Sequence, residues 1–384
     1  MNEAPTKQSS EPTSLRELAT LFLRLGATAF GGPAAHIAMM RNEVVHRRGW
    51  LSDETFLDLL SAANLIPGPN STELAIHVGF QRRRWQGLWV AGLCFIAPAM
   101  LITAVCGWMY VRYGALPTAS WFLYGVKPVI VAVIAQAVYG LAPRAAKTWP
   151  LRALGALAAL LFALGANEVA VLFGAGALAA CVGARRWTNE SSGSAMVLLP
   201  LATSAAVMSR AAVDLSSLFW VFCKIGSVLF GSGYVLLAFL RADLVERLGW
   251  LTDAQLVDAI AIGQVTPGPV FTTATFIGYL LRGPAGALVA TAGIFLPAFV
   301  FVALSGSLVP KMRASPRSAL FLDGLNVASL ALMVVATFQV ARAAIVDLPT
   351  ALLGVAAASL LIRYRLNATY LIIGGAVAGY MLHR

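Results

Sequence analysis

Long apolar segments separated by short polar connectors run through nearly the whole chain. Residues 18–40, 88–111 and 121–141 each have about the 20 residues that a helix needs to cross a bilayer. Residues 151–164 and 169–182 are also apolar but shorter, and short crossings are accommodated by local thinning of the bilayer. The pattern predicts an all-α polytopic membrane protein.

Composition supports this class. Hydrophobic residues make up 59% of the chain and charged residues 12%, whereas a soluble domain has about a quarter charged residues. A net charge of +11 would suggest a nucleic-acid partner for a soluble protein. In a membrane protein, however, Lys and Arg collect in cytoplasmic loops. We therefore expect a lipid bilayer around the chain, and no nucleic acid.

The series of apolar segments occurs twice, because the chain is a tandem duplication. Phe30-Gly31 returns 200 residues later as Phe230-Gly231. The same offset relates Arg24/Lys224, Gly26/Gly226, Glu43/Asp243, Asp53/Asp253, Asp58/Asp258 and Pro67-Gly68-Pro69/Pro267-Gly268-Pro269. After one deletion the offset becomes 199, as in Gly79/Gly278 and Pro98/Pro297. We predict a disordered tail at 1–14, a first repeat at 15–186, a linker at 187–214 and a second repeat at 215–384.

Each repeat contains a Pro-Gly-Pro break inside apolar sequence. Two prolines around a glycine remove backbone donors and cannot continue an α-helix. Irregular backbone at membrane depth must face protein or a water-filled cavity. The flanking apolar segments are too short to cross, so a re-entrant hairpin or broken helix is favoured over two spans. Ser52 and the Thr252/Gln255 pair are predicted to cap the helices leading to the breaks.

The distribution of basic residues favours two repeats of opposite orientation. About five spans plus a hairpin per repeat is an odd number of crossings, which inverts the second repeat. The basic residues then expected on the cytoplasmic side are Arg47, Arg48, Arg82, Arg83, Arg84, Arg144, Lys147, Arg152, Arg185, Arg186, Lys311, Arg313, Arg317, Arg363 and Arg365. Residues 196–208 could add a further crossing.

The helix starts after the breaks are candidate anion-binding sites. Half-helix N-termini direct backbone amides at anions in membrane proteins with inverted repeats. Hydroxyl and amide side chains beside them would add donors. The candidate residues are Gly31, Gly32, Pro67, Gly68, Pro69, Asn70, Ser71, Thr72, Pro267, Gly268, Pro269, Thr272 and Thr273. The alternative is that both breaks are merely kinked, capped turns.

Arg24 and Lys224 are equivalent cations within apolar segments. A cation inside a spanning helix is costly and is often functional, so the pair could converge on a divalent anion. The alternative is that both side chains reach the membrane surface. Glu73 has no acidic equivalent, because Thr273 occupies its place. It is either a proton carrier for coupling or a structural partner of Arg24. Asp58 and Asp258 are expected to pair with loop arginines.

These motifs resemble the chromate ion transporter family in its long, two-domain form. The resemblance rests on Phe30-Gly31-Gly32 with Pro67-Gly68-Pro69-Asn70, and on Phe230-Gly231-Ser232-Gly233 with Pro267-Gly268-Pro269. It covers nearly the whole chain beyond the N-terminal tail. It implies a multi-pass exporter in the bacterial inner membrane that confers chromate resistance, with two homologous halves of opposite orientation. Ser232 in place of Gly32, and Val270 in place of Asn70, make the halves unequal.

The expected activity is secondary transport of chromate, driven by the membrane potential or the proton motive force. Sulfate or another tetrahedral oxyanion is an alternative substrate, and an anion channel is an alternative mechanism. An enzyme is disfavoured, because the sequence has no recognised catalytic spacing. We expect no cofactor and no metal. A homodimer is possible, and the sequence does not decide the oligomeric state.

Overall fold

The computed structural model describes residues 13–29, 32–114, 117–187, 213–230, 233, 235–313, 315–364, 366 and 368–383. All regular structure among these residues is helical. Most of the predicted tail and linker, and residues 196–208, lie outside them.

The described part of the first half contains seven α-helices and one π-helical segment. They are α1 (Leu15–Thr28), α2 (Gly32–Arg41), the π-helical segment Asn42–Arg47, α3 (Asp53–Ala63), α4 (Asn70–Tyr113), α5 (Pro117–Ala145), α6 (Trp149–Ala163) and α7 (Glu168–Trp187). The first apolar segment is therefore two helices, α1 and α2, rather than one crossing. The break falls where Gly31-Gly32-Pro33 interrupts the pattern.

The second half repeats this order. Its elements are α8 (Leu215–Val228), α9 (Leu236–Leu240), the π-helical segment Arg241–Arg247, α10 (Asp253–Val265), the 3₁₀ turn Val270–Thr272, α11 (Thr273–Arg313), α12 (Pro316–Ala344), α13 (Leu348–Tyr364) and α14 (Ala368–His383).

The predicted caps of α3 and α10 are confirmed. The Ser52 hydroxyl accepts a hydrogen bond from the Thr55 amide. Thr252 and Gln255 form a reciprocal capping box. These bonds satisfy backbone donors that have no partner within the helix. They fix where the helix leading to each Pro-Gly-Pro break begins.

α4 and α11 each fold back on themselves. In α4 the backbone leaves helical geometry at Arg83 and Arg84, and in α11 at the equivalent Arg282 and Gly283. The two parts of α4 touch closely, because a Cβ on Gly79 would collide with the Gly87 carbonyl oxygen. The helix start after each Pro-Gly-Pro break is therefore a short arm lying against the longer part that follows it.

The two halves interlock. α5 of the first half packs against α13 and α14, and α12 of the second half packs against α6 and α7. Glycines allow both crossings: a Cβ on Gly125 would meet the Gly375 carbonyl, and a Cβ on Gly324 would meet the Ala175 carbonyl. Close backbone approach at small residues is typical of helix packing in membranes. α4 and α11 also pack against each other across the two halves.

Among the described residues, four helices are long and apolar enough to cross a membrane: Asn70–Tyr113, Ser120–Ala145, Val270–Ser305 and Arg317–Ala344. Five further apolar helices of 10–17 residues accompany them. Large apolar side chains such as Leu101, Trp108 and Phe338 are exposed on the helix surfaces. Such a surface suits lipid, and the chain is an integral membrane protein.

Candidate functional site

Each Pro-Gly-Pro break is hydrogen-bonded to the half of the chain to which it does not belong. The Gly68 amide donates to the Leu229 carbonyl at 2.8 Å, and the Gly268 amide donates to the Ala29 carbonyl at 2.9 Å. Residues 29 and 229 are equivalent in the duplication, as are 68 and 268. Each break therefore docks on the end of the first helix of the other half.

Glycine is required at both breaks. The φ angles of Gly68 and Gly268 are +136° and +87°, values that residues with a Cβ rarely adopt. A Cβ on Gly68 would also collide with the Glu73 carboxylate, and a Cβ on Gly268 would lie 2.6 Å from the Ala99 Cβ. Other groups thus approach the backbone closely at both breaks.

Glu73 is a buried carboxylate at the first break that lacks hydrogen-bond partners among the described residues. It is 0% exposed, and neither carboxylate oxygen has a hydrogen-bond partner among the described residues. Thr72 Oγ1 and His77 Nε2 are likewise buried there without a partner. Glu73 and His77 are four residues apart, so they share one face of α4. Unpaired buried polar groups are costly and therefore mark a candidate functional site.

Some of the expected backbone donors at the first break are already used. The Thr72 and Glu73 amides both donate to the Pro69 carbonyl, at 2.7 and 3.1 Å. This leaves the amides of Asn70 and Ser71 at the helix start. The Asn70 side chain donates to Asn64 Oδ1 at 2.6 Å.

At the second break, the threonine hydroxyls already donate hydrogen bonds within the break itself. The Thr272 hydroxyl donates to the Pro269 carbonyl and the Thr273 hydroxyl to the Val270 carbonyl, both at 2.8 Å. Thr103 of α4 approaches Thr272, with 3.4 Å between the two hydroxyl oxygens. The two halves therefore do not offer equivalent donors.

His36 connects the first break to the second. Its Nε2 lies 3.1 Å from the Ala29 carbonyl oxygen, and its Nδ1 lies 3.2 Å from Ser71 Oγ. Because a carbonyl only accepts, Nε2 carries the proton and Nδ1 accepts from the Ser71 hydroxyl. The same Ala29 carbonyl accepts the Gly268 amide. Leu236 and Phe271 stand at the positions equivalent to His36 and Ser71.

The structure gives Arg24 a partner other than Glu73. Arg24 lies 2.7 Å from the Glu43 carboxylate. That carboxylate also binds Arg47 and Arg48. The alternative in which Glu73 is the structural partner of Arg24 is wrong. Arg24 pairs instead with Glu43, which belongs to the π-helical segment Asn42–Arg47.

Lys224 is paired in the equivalent way. Its Nζ lies 2.7 and 2.8 Å from the two Asp243 carboxylate oxygens, and Arg247 approaches the same carboxylate. Each of the two candidate cations thus has a carboxylate in its own half. Of the remaining candidates, Gly32 begins α2 with a φ of +77°, while Gly31 lies outside the described residues.

The sequence did not predict an ion pair between the halves that joins the half-buried Lys127 to the buried Asp258. Asp258 was expected to pair with a loop arginine, but Lys127 Nζ lies 3.1 Å from its Oδ1 and the Tyr110 hydroxyl donates to its Oδ2 at 2.8 Å. Lys127 follows apolar sequence and precedes Pro128. A single Lys inside an apolar segment was the available signal.

Both halves of the chain match one known family. The sequence model of the chromate transporter family matches residues 16–181 and 216–380. No solved structure matches the chain.

Full-length relatives agree with that match. A chromate transport protein of Cupriavidus metallidurans is 35% identical, over 94% of this chain and 92% of its own. A probable chromate transport protein of Synechococcus elongatus is 31% identical, over 95% of each chain. A chromate transport protein of Pseudomonas aeruginosa is 30% identical, over 99% of this chain and 95% of its own. The chain therefore belongs to the chromate transporter family.

Proposed function

We propose that this chain is a secondary transporter that exports chromate from the bacterial cytoplasm across the inner membrane and so confers chromate resistance. The observation that carries the proposal is the family match in both halves, with relatives of nearly equal length that are named chromate transport proteins. A transport role also suits a chain whose buried polar groups lie between apolar helices.

We propose that the substrate binds at the Pro-Gly-Pro breaks. The first helix start offers the amides of Asn70 and Ser71 and the Thr72 hydroxyl, which has no hydrogen-bond partner among the described residues, and oxyanions accept such hydrogen bonds. The crossed bonds from Gly68 and Gly268 bring the two breaks to the interface of the halves. Sites of this kind lie between repeats in many secondary transporters.

The two repeats, 15–186 and 215–384, have opposite orientation in this proposal. The reciprocal bonds Gly68–Leu229 and Gly268–Ala29 are what a pseudo-two-fold axis between the halves would produce. α3 has 11 residues and would extend about 16 Å, roughly half of the 30 Å hydrocarbon core. It is therefore a re-entrant arm, and the break at its end lies at membrane depth.

The membrane potential supplies the driving force. Moving one charge through 100 mV is worth about 2.3 kcal/mol, so a dianion leaving an inside-negative cell gains roughly twice that. Glu73 adds proton exchange: a fully buried, unpaired carboxylate is costly when charged, and binding a proton removes the charge. We assign Glu73 the coupling role.

Uptake of labelled chromate into inverted membrane vesicles tests the function. Vesicles containing the protein should accumulate chromate faster than vesicles lacking it, and collapsing the potential should slow this uptake. A tenfold excess of sulfate should compete weakly. Equal uptake in both vesicle types would refute chromate transport, and strong competition would identify sulfate as the better substrate. Single-channel currents would favour the anion channel.

A further inference from the structure

We propose that Lys127 directly contacts the transported oxyanion, and that the Asp258 carboxylate, which is also hydrogen-bonded by Tyr110, holds the ammonium group when no anion is bound. Lys127 belongs to α5, Asp258 to α10 and Tyr110 to α4, so the group joins the two halves. The proposal rests on the function proposed above and names a binding residue for it.

Lys127 lies within the membrane-spanning part of α5. It is seven residues after Ser120, where the apolar span begins, which corresponds to about 10 Å along a helix, or about a third of a 30 Å hydrocarbon core. A cation at this depth is costly unless it has a partner or faces water, and such residues usually mark a substrate or ion pathway.

The ion pair is unequally exposed. The Asp258 side chain is 6% exposed, whereas the Lys127 side chain is 22% exposed. An ammonium group has three N–H donors. Asp258 is its ion-pair partner in the part of the chain that the structure describes, so donors remain for an incoming anion. The accessible member of the pair is therefore the cation.

Tyr110 makes release of Lys127 feasible. A buried carboxylate that loses its only partner is strongly destabilised. Asp258 would keep the hydrogen bond from the Tyr110 hydroxyl, which reaches the other carboxylate oxygen at 2.8 Å. An edge-to-face contact with Phe276, 5.2 Å between ring centres, holds the Tyr110 ring in place. Lys127 can thus turn to an oxyanion while Asp258 stays hydrogen-bonded.

Polar side chains connect this pair with the second Pro-Gly-Pro break. Tyr110 and Thr103 are seven residues apart on α4, so they share a face about 10 Å apart. Thr103 in turn approaches Thr272, directly after the break. An anion bound at Lys127 would therefore lie on the α4 face that leads to the second break.

The other intramembrane cations are less suited to this role. The carboxylates that bind Arg24 and Lys224 are shared with further arginines in their own halves. Asn326 stands at the position equivalent to Lys127, so the duplication provides this lysine once. A cation that occurs in one half only also agrees with the two breaks, which offer different hydrogen-bond donors.

The test replaces the ion pair by apolar residues of similar size, Lys127→Met with Asp258→Leu. A purely structural pair can be replaced in this way at little cost, so transport would persist within twofold of wild type and overturn the proposal. An anion contact predicts normal insertion and melting, with initial labelled-chromate uptake at least tenfold lower. The matched control is Lys147→Met with Asp323→Leu, an exposed pair between the halves at 2.9 Å, which should transport normally.

The conservative variant Lys127→Arg gives a second reading if the double variant fails to insert. An anion contact predicts a changed apparent KM with a largely kept maximal rate, because the planar guanidinium presents its donors differently. An unchanged KM would overturn the proposal. If wild-type vesicles take up no labelled chromate or sulfate, the proposed transport function itself fails, which is a separate outcome.

Discussion

At the residue scale, the Glu73 carboxylate lies in the space that a side chain at position 68 would need. The absent side chain at 68 therefore permits a buried carboxylate at 73, and neither residue can be understood alone.

Gly68→Ala should abolish this arrangement. The new methyl group would collide with the carboxylate, and a φ of +136° is unfavourable for alanine. We expect chromate uptake to fall more than tenfold. Gly165→Ala is the matched control, because Gly165 also has a positive φ, of +80°, but open space around it. Uptake by Gly68→Ala comparable with that of the control would contradict a role for close packing at the break.

Glu73→Gln tests proton coupling. In inverted vesicles, wild type should take up chromate faster when the interior is acidic at zero potential, because protons leave as chromate enters. Glu73→Gln should lose this response and keep its stimulation by an imposed potential. Glu54→Gln removes an exposed carboxylate and should behave as wild type. A pH response that survives in Glu73→Gln would exclude Glu73 as the proton carrier.

The sequence identified intramembrane charges but not their partners. Arg24 and Lys224 stood out because the duplication supplies both, yet each pairs with an acid at an equivalent position, Glu43 or Asp243. Lys127 has no cationic equivalent and was overlooked. Ion pairs between distant helices depend on which helices meet, and the pattern along the chain does not contain that information.

At the element scale, the folded-back arms α4 and α11 hold the helix start after each break. Their reversals at Arg83-Arg84 and Arg282-Gly283 follow the duplication. The sequence predicted apolar segments beside each Pro-Gly-Pro break that are too short to cross, and a full span at 88–111. It did not predict how closely the two parts of each helix pack.

Gly79→Ala should loosen the first arm. Its Cβ would collide with the Gly87 carbonyl across the fold-back, so we expect a loss of about 1–3 kcal/mol in stability from overpacking. Gly140→Ala places a methyl group in open space within α5 and should be neutral or slightly stabilising. Thermal melting of the purified variants in detergent measures both. A melting temperature for Gly79→Ala at or above that of Gly140→Ala would contradict the tight fold-back.

At the scale of the whole molecule, the halves depend on each other. α5 packs against α13 and α14, and α12 packs against α6 and α7, while each Pro-Gly-Pro break is hydrogen-bonded to the other half. The duplication was evident from the sequence, but this exchange of packing partners was not, since either half could have packed on itself. The same exchange brings Lys127 to Asp258.

In the proposed function, the membrane potential drives chromate through this chain alone. The most direct measurement is the flux of labelled chromate through purified protein in liposomes, with potassium diffusion potentials of either sign set by valinomycin. We predict that chromate moves toward the positive side, that reversing the potential reverses the net flux, and that Gly68→Ala is inactive. A wild-type flux that is independent of the potential, or equal to that of empty liposomes, would contradict potential-driven chromate transport by this chain.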